Sequence, residues 1–290
     1  MIVGGHGAVG TLFARALVAS GTTSLTLVDR RASPVPVEGI VSIQDDACAP
    51  ADATLETVEA SDLVILATPE EVATEAAPRM LSHMRAGSLL VETLSVKSRF
   101  AAMLEGVQTR AEVLGVNPMF APDLGFAGRS VVAVPYSDGT GTNAFLELVA
   151  RQGARVVRLG AQEHDRACAA LQAATHAAIL AFGVALQTAG YDLASAEPIM
   201  PPPHRTMLAL LARILSADPE VYRDIQVANP FAAEMRARLL EAHRALDRAA
   251  NTDDPSAFHG VIGELRALFG GRDADYAKLC AQIFEVKMPD

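Results

Sequence analysis

The chain has little cysteine, almost no lysine and no uninterrupted apolar run of membrane length. Its three cysteines, Cys48, Cys168 and Cys280, are odd in number and far apart, with no CxxC spacing. That excludes a disulfide-stapled scaffold and reads as reduced cytosolic thiols. The seven histidines show neither HExxH nor Cys/His spacing, so no metal site is expected. The best membrane candidate, Ala169 to Gly190, is interrupted by Gln172, His176 and Gln187, and no membrane span is expected. No basic-then-apolar leader opens the chain, so the expected location is cytoplasmic. Positive charge is scarce as well. A formal net charge of −10 argues against nucleic-acid and anionic-membrane partners, whose phosphates repel such a chain.

What is present fits a soluble globular protein: 290 residues, 50% hydrophobic and 20% charged. That length exceeds what one hydrophobic core usually serves, so two domains are expected. Of 24 Lys plus Arg, only Lys97, Lys278 and Lys287 are lysine. The bias reads as a coding preference for Arg and Ala, and it singles out Lys97.

The first 160 residues alternate β-type and helix-type runs. Ile2–Val3 leads into a Gly-rich turn, and Val9, Leu12, Phe13, Ala16 and Leu17 then follow a helical period. Further strands are read at 24–29, 62–68, 88–92, 113–116, 131–134 and 155–159. Repeated β-α units imply a doubly wound, mostly parallel sheet over 1–160. From Gln162 to Glu285 only amphipathic stretches follow, broken by Pro and Gly. Residues 161–290 therefore read as an all-helical second domain, and the whole as an α/β protein with an all-α C-terminal part.

Gly5-His6-Gly7-Ala8-Val9-Gly10 matches GxGxxG between a strand and a helix, and Asp29 ends the next strand nineteen residues on. This is the Rossmann dinucleotide pattern. Gly5 would allow the tight turn, Gly7 the approach of a pyrophosphate, and Gly10 the packing of helix on strand. The helix N-terminus would then hold the phosphates. Asp29 would accept the ribose hydroxyls and favour NAD, although Arg30 or Arg31 could pair with a 2′-phosphate. The loop 5–10, Asp29, Arg30, Thr68 and Pro69 at a strand end, and Ser95 are the expected cofactor contacts. A glycine turn that binds nothing is the bland alternative.

Four further motifs occur in order: ETLSVK (92–97), LGVNPMFAPD (114–123), QEHDRACAALQAATHAAILAFG (162–183) and PHRTMLALLARILSADPEVYRDI (203–225). With the loop, this resembles the prephenate dehydrogenase family over nearly the whole chain, especially the dehydrogenase half of chorismate mutase–prephenate dehydrogenases. The resemblance implies hydride transfer from C4 of a cyclohexadienyl dicarboxylate to NAD, with loss of the ring carboxylate as CO2. It also implies a homodimer formed through the helical domain.

One position departs from the family. A His that accepts the C4 hydroxyl proton is replaced here by Asn117. An amide cannot take a proton near neutral pH, and losing such a base removes about 10²–10⁴-fold of help. A 4-amino substituent would need less, because the nitrogen lone pair itself stabilises the cation left by hydride loss. Family members acting on 4-amino-4-deoxyprephenate, on the way to 4-aminophenylalanine-derived natural products, fit that requirement. The alternatives are a prephenate or arogenate dehydrogenase of tyrosine biosynthesis, or a non-catalytic NAD-binding module.

By the same resemblance Ser95 contacts the reacting centre, while its bland reading is a helix N-cap near Val96. His164 joins Ser95 and Asn117 in the catalytic set, in a hydrogen-bonding role. Arg213 is expected to grip a substrate carboxylate, since burying it among leucines without an anion would be costly. Arg205, His176, Gln172 and Lys97 complete the expected substrate contacts, with a surface ion pair, packing roles and a solvated first-turn lysine as their bland readings.

Overall fold

A computed structural model of the chain describes every residue except 23, 32–38 and 287–290. Lys287 lies outside the described residues. Two compact units form: Met1–Cys168 with Ala228–Pro230, and Ala169–Val227 with Phe231–Asp290.

Among the described residues the first unit is built on eight strands in the order β3-β2-β1-β4-β5-β6-β7-β8. They are β1 (Ile2–Val3), β2 (Leu25–Asp29), β3 (Ile40–Gln44), β4 (Leu63–Leu66), β5 (Leu89–Glu92), β6 (Glu112–Pro118), β7 (Ser130–Pro135) and β8 (Arg155–Arg158). Every pairing is parallel except β6 with β7. Helices α1 (Ala8–Ala19), α2 (Asp52–Ala60), α3 (Glu70–His83), α4 (Ser98–Leu104), α5 (Thr140–Arg151) and α6 (Ala161–Cys168) connect and flank them.

Strand periodicity explains the two cores. Ile2, Ile65, Val91 and Leu114 point to one face, against Phe13 and Leu17 of α1 and Phe145 of α5. Their neighbours Val3, Val64, Leu66, Leu90 and Val113 point to the other, against Ala73, Ala77 and Met80 of α3. Alternate residues of a strand face opposite sides, so a sheet covered on both faces reads as continuous Val/Ile/Leu. The two-residue β1 lies inside the sheet, pairing with both β2 and β4. The sequence reading missed β3. It is an edge strand whose residues are exposed or half-buried, and such a strand lacks the apolar run that marked the others.

The second unit is helical throughout its described residues: a π-helical turn at Ala169–Ala174, then α7 (Thr175–Thr188), α8 (Leu193–Ala196), α9 (Pro202–Leu215), α10 (Pro219–Val227), α11 (Ala232–Ala250), α12 (Pro255–Ala267) and α13 (Asp273–Phe284). Little of it is sealed; Ala173, Ile225 and Ala232 form its one buried cluster among the described residues. Leu171, Val184, Leu240, Leu246, Leu265 and Leu268 are all exposed. The stretch Ala161–Thr188 has the length and hydropathy of a membrane span, and 17% of its most apolar 18-residue window is buried.

Candidate active site

Strand order reverses between β1 and β4, and ligands of open α/β sheets bind at the carboxyl ends beside such a point. The Gly-rich loop lies there. Gly4, not Gly5, makes the tight turn: its φ is 75°, and a Cβ on it would lie 2.2 Å from the Ala67 carbonyl oxygen. Gly5 is glycine for a different reason, since its Cβ would meet Leu27 Cβ at 2.7 Å. Gly10 has the expected role, for a Cβ there would sit 2.3 Å from the Gly4 carbonyl oxygen and force α1 off the strand.

The loop fits a dinucleotide. A Cβ on Gly7 meets only the Gly4 carbonyl oxygen, at 3.3 Å, and the first turn of α1 carries no acidic residue to repel phosphate. Asp29, at the end of β2, accepts from the His6 N–H at 3.2 Å and the Arg31 N–H at 3.1 Å. Those bonds hold the carboxylate at the loop, so His6 acts through its backbone. Arg30 is exposed beside it. Thr68 follows β4 with a buried hydroxyl that has no partner among the described residues, and Pro69 is the N-cap residue of α3.

After β5 the chain forms the loop Thr93–Lys97, in which Ser95 is half-buried. Ser95 does not cap a helix. Helix α4 starts at Ser98, and the Lys97 and Ser98 N–H groups donate to the two oxygens of Asp165, each at 2.8 Å. A carboxylate from α6 thus caps α4, a long-range role that no local spacing signals.

Lys97 departs from both readings of it. Its side chain is fully buried, and its three N–H groups reach Glu92 Oε1 at 2.9 Å, Glu92 Oε2 at 2.8 Å and the Val116 carbonyl at 2.9 Å. No donor remains for a substrate carboxylate. Burial pushes its ammonium below the usual range, against the opposing pull of Glu92. Glu92 also accepts from Tyr136 Oη at 2.8 Å and the Leu94 N–H at 2.7 Å. The Tyr136 hydroxyl is raised, first by burial and then by Glu92. Neither is a site residue in the sequence reading: Glu92 figures only as the first residue of ETLSVK, and Tyr136 lies in none of the motifs.

Asn117, near the end of β6, is buried, and its Nδ2 lies 3.0 Å from His164 Nε2. His164, fully buried on α6, reaches Asp165 Oδ1 through Nδ1 at 2.8 Å. Cys168 Sγ is 3.4 Å from the same Nε2, and burial raises that thiol to about 11, so it stays neutral. For Asp165 burial works upward, but the bonds from His164, Ser98 and Lys97 outweigh it and hold the carboxyl below its usual range. Asn229, from 228–230, adds a bond from Nδ2 to the Asp165 carbonyl at 2.8 Å. The first unit therefore gathers Asn117, His164, Asp165, Cys168 and Lys97 into one buried group. Cys168 had only the reading of a bland thiol, because a lone cysteine carries no spacing signal.

In the second unit Gln172 Oε1 and His176 Nδ1 are buried without partners among the described residues. His176 stacks edge-on against Tyr222 at 4.8 Å, and it is lowered first by burial and then by the charge of Arg213. Arg213 itself is exposed on α9, not buried among leucines, so its claim rests on position and not on a desolvated charge. Arg205 is half-buried. No group of three or more potential metal ligands occurs among the described residues.

Comparison with known proteins identifies the family. The family description "Prephenate dehydrogenase, nucleotide-binding domain" matches residues 13–158, and "Prephenate dehydrogenase, dimerization domain" matches residues 160–264. The chain is 44% identical over 284 residues to a 4-amino-4-deoxyprephenate dehydrogenase of Streptomyces pristinaespiralis, covering 98% of this chain and 95% of that one. It is 31% identical to the T-protein of Enterobacter agglomerans, over 96% of this chain and 68% of that one. Among solved structures, a prephenate dehydrogenase from A. aeolicus with hydroxyphenyl propionate and NAD+ superposes with a TM-score of 0.72, at 19% identity, over 93% of this chain and 96% of that one.

Proposed function

The chain belongs to the prephenate dehydrogenase family, and from that premise we propose that it oxidatively decarboxylates 4-amino-4-deoxyprephenate to 4-aminophenylpyruvate with NAD. The observation that carries the choice of substrate is Asn117. It stands where the family places a proton-accepting His, and its amide is already bonded to His164. The relative from Streptomyces pristinaespiralis bears the matching name.

The chemistry asks little of a base. NAD, when bound, supplies the hydride acceptor. As the C4–H electron pair leaves the ring, the amino nitrogen donates its lone pair to C4. Loss of the ring carboxylate as CO2 then returns two electrons and leaves a neutral arylamine, so no proton need be removed from a neutral amine. The Asn117 Oδ1 accepts an N–H hydrogen bond that strengthens as the nitrogen becomes positive. A hydroxyl in the same place supplies less electron density and gains from a base, which an amide is not.

The remaining roles follow the chemistry of each group. Gly7 and the N-terminus of α1 receive the pyrophosphate, with Ala8 and Val9 in the same turn. Asp29 takes the ribose hydroxyls, Thr68 and Pro69 flank the cofactor, and Ser95 lies by the nicotinamide. Arg213 grips a substrate carboxylate, with Arg205, His176 and Gln172 as further contacts; the unpartnered Gln172 Oε1 and His176 Nδ1 support that use. The exposed leucines of the helical unit favour a homodimer, and a face covered by a second copy accounts for the apolar run 161–188 without a membrane.

The test is to follow NADH formation with NAD and 4-amino-4-deoxyprephenate, prephenate or arogenate in turn. Turnover highest with the amino compound is expected. Faster turnover of prephenate or arogenate overturns the substrate, and silence with all three alongside retained NAD binding would make the chain a nucleotide-binding module.

A further inference from the structure

Behind Asn117 stand an imidazole and a carboxylate that touch no proposed ligand, and their order fixes which way the amide faces. Asp165 is anchored by the Lys97 and Ser98 N–H groups at the start of α4, each at 2.8 Å. Its Oδ1 is 2.8 Å from His164 Nδ1. An ionised acceptor there places the imidazole proton on Nδ1 and leaves a lone pair on Nε2. Only a donor can then face Nε2, and the Asn117 Nδ2 does so at 3.0 Å. With the amide turned over, its oxygen would oppose that lone pair in a buried place, acceptor against acceptor. The Cys168 thiol, 3.8 Å from Asn117 Nδ2 and 3.4 Å from Nε2, lies on the same side. Asn117 Oδ1 is therefore turned away from His164. It accepts from none of the described residues and is not among the sealed, unpartnered atoms.

We propose that His164 and Asp165 are positioning residues that hold the Asn117 amide in one orientation, with its carbonyl oxygen presented as an acceptor to the C4 substituent of the substrate. This rests on the reading of Asn117 as the residue that meets that substituent. An amide free to turn would spend part of its time offering N–H to a nitrogen that is becoming positive. That loss falls on the transition state more than on binding. His164 takes no proton from the substrate in this scheme; its part is to carry the polarity of Asp165 to Asn117.

A double-mutant cycle separates this from plain structural support. His164→Leu removes the acceptor. His164→Gln keeps the size and a hydrogen bond but has an amide that turns either way, and it stands in if the Leu variant does not fold. Each is made in the natural chain and in Asn117→Ala, with NAD affinity and Tm measured alongside. In the natural chain kcat should fall by about 10- to 100-fold with KM for NAD unchanged. In the Asn117→Ala background the same substitution should cost less than about threefold. Equal fold-losses in both backgrounds would overturn the proposal, as would an unchanged kcat in the natural chain. The cycle is run on whichever substrate the natural chain turns over fastest. A preference for prephenate would sink the substrate reading, and an additive cycle on the amino substrate would sink the positioning role alone.

Discussion

Lys97 Nζ lies 2.8 Å from Glu92 Oε2, with both side chains fully sealed from solvent. The pair joins the end of β5 to the start of α4, and its third N–H bond, to Val116, ties both to β6. Removing one member of a buried pair strands the other charge, at about 3–5 kcal/mol. Lys97→Met should therefore lower stability by that order in denaturant unfolding. Adding Glu92→Gln should restore part of it. A Lys97→Met protein with unchanged stability and a raised substrate KM would instead mark Lys97 as a substrate cation.

Asn117→His restores an imidazole at the end of β6, where it meets His164 and Cys168 instead of an amide. The ratio of kcat/KM for prephenate to that for the amino substrate should rise by about 10²-fold, the lower end of what a general base contributes. An unchanged ratio would show that position 117 does not set specificity.

Arg213 is exposed on α9 and acts on His176 through its charge. Arg213→Ala should raise the substrate KM by about 10- to 100-fold, the loss of a charged hydrogen bond of about 1.5–3 kcal/mol. The affinity for NAD, measured by fluorescence titration, should stay the same. A loss confined to NAD binding would move Arg213 to the cofactor.

Asp29 holds two backbone N–H groups at the loop and presents negative charge beside Arg30 and Arg31. Asp29→Asn keeps an acceptor but removes the repulsion of a 2′-phosphate. The ratio of kcat/KM for NADP to that for NAD should rise by about tenfold or more, since one removed like-charge contact is on the order of 1–2 kcal/mol. If the ratio does not move, Asp29 is a loop anchor and not a discriminator.

The sequence by itself determined the doubly wound sheet, the helical second part, and the glycine loop with its acidic partner. These are local matters, in which periodicity, a turn that admits only glycine and a motif of fixed spacing all act within a few residues of chain. The tertiary structure alone decided three things. It made Gly4 the turning residue and Gly5 the close-packed one, because the clash is with Ala67, just past β4, and with Leu27 of β2. It buried Lys97 on Glu92 of β5 and the Val116 carbonyl of β6, with Tyr136, just past β7, bonded to the same carboxylate. It also set Asp165 as the cap of α4, 68 residues away along the chain, and brought His164 against Asn117, 47 residues away. A buried charge or amide must find partners wherever the fold brings them, and that requirement acts through space, where the spacing of residues along the chain carries no record of it.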